Sequence, residues 1–248
     1  MTADAPRDLW EKYGRDDPYF AVTSIGQNRA GNFDDIARKE FFESGHEHVD
    51  LVWSRLEKEI GRALRPARAL DFGCGVARIL VPMSEHCEAV VGVDISRSML
   101  DEADKNCSDA GLENFELVQT DEFFAGKDEY DLVHSLVVFQ HIEPAVGYDL
   151  VDKILKRVAT GGAGMLHFTY RPSVRGFALM RHEFYERFPG IHRVLGKVRG
   201  RSGSIIPIYC YERGRVIEIF SSNDCDIIAA EQTDHGHIGE MIYFQKKT

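Results

Sequence analysis

From Arg68 onward, short apolar runs alternate with segments of helical period, and this rhythm leaves few architectures open. The runs are ARALDF, AVVGVDI, FELVQT, YDLVHSLVV, AGMLHFTY, DIIAAEQT and GEMIYFQK. Between them lie ARILVPMSEHC, SRSMLDEADKNCSDAG, VGYDLVDKILKRVATGG and YERGRVIEIFSSNDC. Strands separated by amphipathic helices read as βαβ units, because parallel neighbours need a long crossover. Only a short turn separates the last two runs, so they are expected to pair antiparallel. The expectation is an α/β fold with a seven-stranded, mostly parallel sheet, helices on both faces and a C-terminal antiparallel hairpin.

A chain of 248 residues supports one sizeable core rather than two domains with a linker. One domain over 1–248 is therefore expected, with two stretches outside the rhythm. Residues 1–67 carry FFESGHEHVDLVWSRLEKEIGRAL, which reads as an amphipathic helix, and residues 171–204 read as an insertion after strand five.

The sharpest local signal is ALDFGCGVAR, which sets Gly73 and Gly75 between a strand and a helical run. Glycine permits a tight turn and close backbone approach, and a helix that follows offers N–H groups to an anion. A dinucleotide site wants a third glycine where Arg78 stands. Asp71, two residues before the first glycine, suits an ammonium better than a diphosphate. An amino acid moiety supplies both halves, a cation for Asp71 and an anion for the loop.

Further acids end the next strands. Asp94 follows Gly75 by nineteen residues, where a carboxylate can accept bonds from two ribose hydroxyls. Asp121 in LVQTDEFF stands past strand three, where an ordinary helix cap is the competing explanation.

On these residues the stretch from Arg68 to about Tyr170 resembles the class I methyltransferases dependent on S-adenosylmethionine (SAM), whose sheet is Rossmann-like. DFGCGVA is similar to the family's acidic-x-Gly-x-Gly-x-Gly/Ala motif, VGVDISRSML to its ribose-binding strand and YDLVHSLVVFQHI to its fourth-strand motif. The resemblance implies SAM as cofactor. It places Asp71, Gly73, Cys74 and Gly75 at the methionine end, Asp94 at the ribose, Ile95 and Met99 against adenine, and Asp121 with Glu122 at the adenine edge. Residues 1–67 become a helical lid. Ala77 departs from the commoner glycine and is expected to narrow the loop without closing it. No metal is implied.

A sulfonium is an activated methyl donor, so the protein must chiefly align the acceptor and exclude water, with a base where a proton leaves. Ligands bind outside the carboxyl ends of the strands. That rule selects His141 and His237 as candidate bases, and Tyr170, Arg171, Arg175, Arg181 and His235 for the substrate. His134, inside its strand, is expected to point into a core face. A metal held by His141, His235 and His237 is not demanded by their spacing.

Net charge decides between partner classes. At −10 the chain repels phosphate backbones, which argues against nucleic acid, and no apolar run is long enough to span a bilayer. Five scattered cysteines without a paired spacing read as reduced thiols of a cytoplasmic protein. Against that acidic background, residues 171–204 gather eight Lys or Arg and two Glu, with Phe and Tyr interleaved. The expected acceptor is therefore a small molecule, anionic or carrier-linked, methylated on O or N. An oxidoreductase using NAD is the alternative that Arg78 and Asp71 disfavour. A non-catalytic SAM-binding regulator is disfavoured by the intact Asp71, Gly73, Gly75 and Asp94. Oligomeric state is not legible.

Overall fold

The computed structural model describes residues 5–173, 206–234 and 236–248. Arg175, Arg181 and His235, and nearly all of the basic stretch, lie outside the described residues. Seven strands form one sheet: β1 (Arg68–Phe72), β2 (Ala89–Asp94), β3 (Phe115–Gln119), β4 (Tyr130–Ser135), β5 (Val158–Pro172), β6 (Cys225–Asp234) and β7 (His237–Lys246). Their order is β3-β2-β1-β4-β5-β7-β6. The first five run parallel, and β7 pairs antiparallel with both β5 and β6, as expected of strands joined by a short turn. Antiparallel β7 carries the chain back, so that Thr248 lies against Gly161 at the amino end of the sheet.

The helices are α1 (Ala5–Asp16), α2 (Pro18–Thr23), α3 (Asp35–Ile60), α4 (Leu80–Ser84), α5 (Arg97–Asp109), α6 (Thr120–Ala125), α7 (Pro144–Lys156) and α8 (Arg213–Ser222). Two apolar layers sandwich the sheet. Leu70, Phe72, Val91, Val93 and Phe168 pack under α7 and α8, through Val151, Ile154, Val216 and Phe220. Ala69, Val90, Leu132 and Met165 face Val49, Val52 and Leu56 of α3 together with Leu80 and Ala103. Period-two alternation along each strand sends neighbouring residues to opposite layers.

Four boundaries differ from the sequence expectation. The long amphipathic helix starts at Asp35, where the Asp34 side chain accepts the Ala37 amide, and ends at Gly61 in the left-handed region. Strand four stops at Ser135, because Val137 takes φ 61°. Residues 158–162, which read as a helix end, belong to β5. After the glycine turn the helix begins only at Leu80, because Ala77 sits at φ 68° and interrupts helical winding.

Candidate functional site

The sheet reverses direction of growth between β1 and β4, and the carboxyl edge at such a point is where ligands sit in open α/β sheets. Gly73 at φ 80° and Gly75 at φ 53° turn the chain there. The turn is packed from two sides. A Cβ on Gly73 would meet Val138 Cγ2 at 2.2 Å, and one on Gly75 would meet Val22 of α2 at 2.9 Å. The cradle thus depends on missing side chains.

Amides in the turn are bonded within the protein: Gly73 and Cys74 donate to the Val93 carbonyl, Gly75 to Asp94, and Ala77 to Cys74. The expectation that these amides and a following helix N-terminus offer themselves to an anion is therefore corrected for Gly73, Cys74 and Gly75. They shape the cradle with their backbone. Cys74 is buried, and burial pushes its thiol well above the ordinary range, so it stays neutral.

Asp94 ends β2, and each of its oxygens accepts from a backbone amide. Oδ2 accepts from the Gly75 amide at 3.0 Å and Oδ1 from the Ser96 amide at 2.9 Å. Each oxygen keeps a lone pair for a hydroxyl. Burial raises this carboxyl to about 6, against the opposing pull of the amides of Ser96, Gly75 and Ile95. An acid held so close to neutral favours a ligand that donates hydrogen bonds to its charged form. Such a donor set and cradle fit the ribose and methionine ends of SAM.

Beside Asp94, Ile95 is half-buried, while Met99 is buried among Tyr19, Ala21, Phe41 and Val76. Asp121 and Glu122 open α6 and are exposed, with Asp121 paired to Arg7 of α1. Helix α1, unseen in the sequence reading, lies over this edge. Its Glu11 accepts from Ser96 Oγ at 2.9 Å, from the Ser98 amide at 3.2 Å and from the Ser98 hydroxyl. Those hydrogen bonds, the Ser98 hydroxyl foremost, hold the Glu11 carboxyl below its ordinary range against a modest burial effect. Gly14 lets the helix approach, since a Cβ there would meet Ser96 Oγ at 2.8 Å. No local pattern marks Arg7, Trp10 or Glu11, because their partners lie far along the chain.

At the end of β4, the His141 Nδ1 faces the Pro207 carbonyl at 2.9 Å and its Nε2 faces Gln140 Nε2 at 3.1 Å. A carbonyl only accepts, so Nδ1 carries the proton and Nε2 holds the lone pair. Burial depresses this imidazole's affinity for a second proton, and His237 lowers it further, so the structure brings the two candidate bases into electrostatic reach. Trp10 of α1 meets the His141 ring edge-on, with centroids 5.3 Å apart. Tyr170 is partly buried against the layer under α7 and α8; its charged neighbours are Glu240 and Arg213, and burial raises its phenol far above the usual range. Arg171 is exposed.

His134 does point into the core, at 1% exposure, yet it is not inert there. Its Nδ1 lies 2.8 Å from Asp71 Oδ1 and its Nε2 lies 2.9 Å from Nε2 of His48 on α3. Asp71, predicted to meet a ligand ammonium, is 3% exposed and has one oxygen committed to this histidine. The signal for His48 in the sequence is faint: a histidine flanking the buried stripe Gly45, Val49 and Val52. Gly45 is what brings α3 close enough, because a Cβ there would strike the Arg78 carbonyl at 2.1 Å.

Residues 69–162 match a family model described as a methyltransferase domain. A ubiquinone biosynthesis O-methyltransferase of Dinoroseobacter shibae is 26% identical over 138 residues, which cover 53% of this chain and 54% of that protein. A 23S rRNA (uracil(1939)-C(5))-methyltransferase of Marinomonas sp. is 24% identical over 132 residues, covering 48% of this chain and 29% of that protein. The chain therefore spans about half, or less, of the length of these curated relatives. Among solved structures, magnesium protoporphyrin IX methyltransferase from Synechocystis PCC 6803 with bound SAH aligns at a TM-score of 0.65. Its identity is 18%, over 97% of this chain and 98% of that one. The glycine cradle and the acid closing β2 thus lie within the stretch that matches a methyltransferase domain, on a sheet whose fold is shared with that solved structure.

Proposed function

We propose that the protein binds SAM at the carboxyl edge of β1 and β2 and transfers its methyl group to an oxygen or nitrogen of a small metabolite. The observation that carries the reading is Asp94. A carboxylate fixed by two backbone amides, with lone pairs left over, stands beside a cradle that any side chain on Gly73 or Gly75 would fill. When bound, SAM supplies a methyl already activated by its sulfonium.

The chain's own groups do the rest. Asp94 accepts the ribose hydroxyls, Ile95 and Met99 flank the adenine, and Asp121 with Glu122 stands at its edge. Helix α1 acts as the lid, tied down at the ends of three strands by Arg7 to Asp121, Glu11 to Ser96 and Ser98, and Trp10 on His141. A closed lid excludes water and strengthens every polar contact beneath it. His141 Nε2 is the base that takes the acceptor's proton, with Gln140 moving aside and the Pro207 carbonyl holding the tautomer. His237 lies within its field.

An acceptor carrying an anionic group suits the basic stretch of residues 171–204, set against a net charge of −10. The same charge disfavours nucleic acid. Among the described residues no helix is long and apolar enough to cross a membrane.

Calorimetric titration tests the cofactor. SAM and its demethylated product SAH bind at micromolar concentrations and NAD does not; tighter binding of NAD than of SAM overturns the reading. Labelled methyl transfer into fractionated metabolite pools then identifies the acceptor. Label appearing only in RNA removes the small-molecule assignment.

A further inference from the structure

Asp71 and His134 are register partners on β1 and β4, the two strands that flank the reversal in sheet order. His48 extends the pair from α3 into a row of three titratable groups with contacts of 2.8 and 2.9 Å. The proton positions follow from which groups can donate. A carboxylate only accepts, so His134 Nδ1 carries a proton. With both rings neutral, His134 Nε2 is a lone pair and His48 Nε2–H donates to it. With one proton more, His134 Nε2–H can donate to His48 instead. The Nε2 to Nε2 contact persists in both states, so the row can carry a charge of −1 or 0 without rearranging.

Other charges face this row. Arg78, in the turn after Gly75, feels Asp71, and Asp94 at the end of β2 feels it too. Cys74 is neutral. On β5, His167 is bonded to Thr233. Along α3, His46 turns away toward Glu85. Arg78 and Asp94 bear on the row in both of its charge states, which leaves the histidines as the pair that exchanges a proton.

We propose, resting on the SAM reading above, that the Asp71–His134–His48 row is a proton store coupled to cofactor charge. SAM bears a sulfonium cation that SAH lacks. A row at −1 attracts that cation across the poorly screened interior, and a row at 0 does not. Binding of SAM therefore expels an imidazolium proton to solvent. Loss of the methyl group neutralises the sulfonium, and the row recovers a proton. The N–H bond of the imidazolium breaks on binding and re-forms after transfer, with no other bond altered. His48 is the positioning residue of the row, since it acts through His134.

The test is calorimetry with SAM and with SAH at a series of pH values, in buffers of different ionisation enthalpy. The wild-type protein should release more protons with SAM than with SAH, by up to about one, the most a single imidazolium can give. The difference should shrink in His48→Gln, and in His134→Asn as a second variant, while both still bind SAH and melt cooperatively. The sulfonium bears on Asp94 as well, in wild type and variants alike, so the readout is the part of the difference that the substitutions remove. The ligands' own ammonium groups contribute alike to wild type and variants. Equal release with SAM and SAH in the wild type overturns the proposal, as does a difference that both substitutions leave undiminished. If the wild type binds neither ligand, the cofactor reading itself falls and takes the proposal with it.

Discussion

The Asp94 carboxylate accepts the backbone proton of Gly75 at 3.0 Å, so the acid that closes β2 also braces the turn that follows β1. Two roles meet in one side chain, and substitutions should separate them. Asp94→Ala removes charged acceptors worth about 1.5–3 kcal/mol each and should weaken SAM by roughly ten- to a thousandfold. Asp94→Asn keeps an acceptor for Gly75 and should retain more thermal stability than the alanine variant while still binding SAM poorly. An unchanged dissociation constant in a folded Asp94→Ala protein would remove the residue from the site.

The same carboxyl predicts a pH dependence. Its folded value of about 6 lies above the ordinary 3.8, so the free protein holds this proton more tightly than the unfolded chain does. The associated stability is present below about pH 4 and is lost as pH rises through about 6, on the order of 2–3 kcal/mol. Hydroxyl donors from a bound ribose favour the charged form and reverse the loss. The rise in melting temperature caused by SAH should accordingly be larger at pH 7.5 than at pH 5, as differential scanning fluorimetry can show. A rise that is flat across this range would contradict the assignment.

Gly73 combines a left-handed backbone with a Cβ position already filled by Val138. Alanine there adopts a left-handed conformation, costing about 1–2 kcal/mol, and overpacks Val138, costing about 1–3 kcal/mol more. Gly73→Ala should lose both stability and SAM binding. Adding Val138→Ala should restore part of the stability, because the collision partner is then gone while the backbone strain persists. Chemical denaturation of the two variants measures the partition.

Helix α1 should control the rate of ligand escape rather than the chemistry. Glu11→Ala removes its bonds to Ser96 and Ser98, and stopped-flow measurements should show SAH leaving several times faster. Arg7→Ala should do less, because both partners of that ion pair are exposed and such pairs contribute about 0–1 kcal/mol. Equal release rates in wild type and Glu11→Ala would show that α1 does not gate the site.

The basic stretch makes a separate prediction. Arg175→Ala with Arg181→Ala should raise the KM for an anionic acceptor and leave SAM affinity nearly intact. Salt should weaken acceptor capture selectively, since exposed charges are screened over about 8 Å at physiological ionic strength. An unaltered KM would remove the electrostatic argument.

Period-two runs and their spacing sufficed for the seven strands and the closing hairpin, because those patterns are local. Asp94 was legible for a similar reason, standing at a strand end at a known distance from the glycines. Helix α1 was not. DLWEKYGRD has few apolar residues, and what holds it are contacts from Arg7 to Asp121 and from Glu11 to Ser96 and Ser98. The pairing of Asp71 with His134 was equally hidden, since the two are 63 residues apart. A histidine inside an apolar strand nevertheless asked for a buried partner, and parallel register supplied it from the neighbouring strand. The residues after Gly75 misled for a backbone reason: a non-glycine at φ 68° delays the helix to Leu80.

The return of β7 has a practical consequence for anyone who expresses the protein. It leaves Thr248 beside Gly161, at the opposite rim of the sheet from the Gly73 cradle, whereas Ala5 begins the helix that covers the cradle's own rim. An affinity tag or fluorescent fusion attached ahead of Ala5 would hang at the doorway and compete with whatever enters. Joined after Thr248, the same cargo would trail from the back of the molecule, and assays of ligand entry could be run without cutting it off.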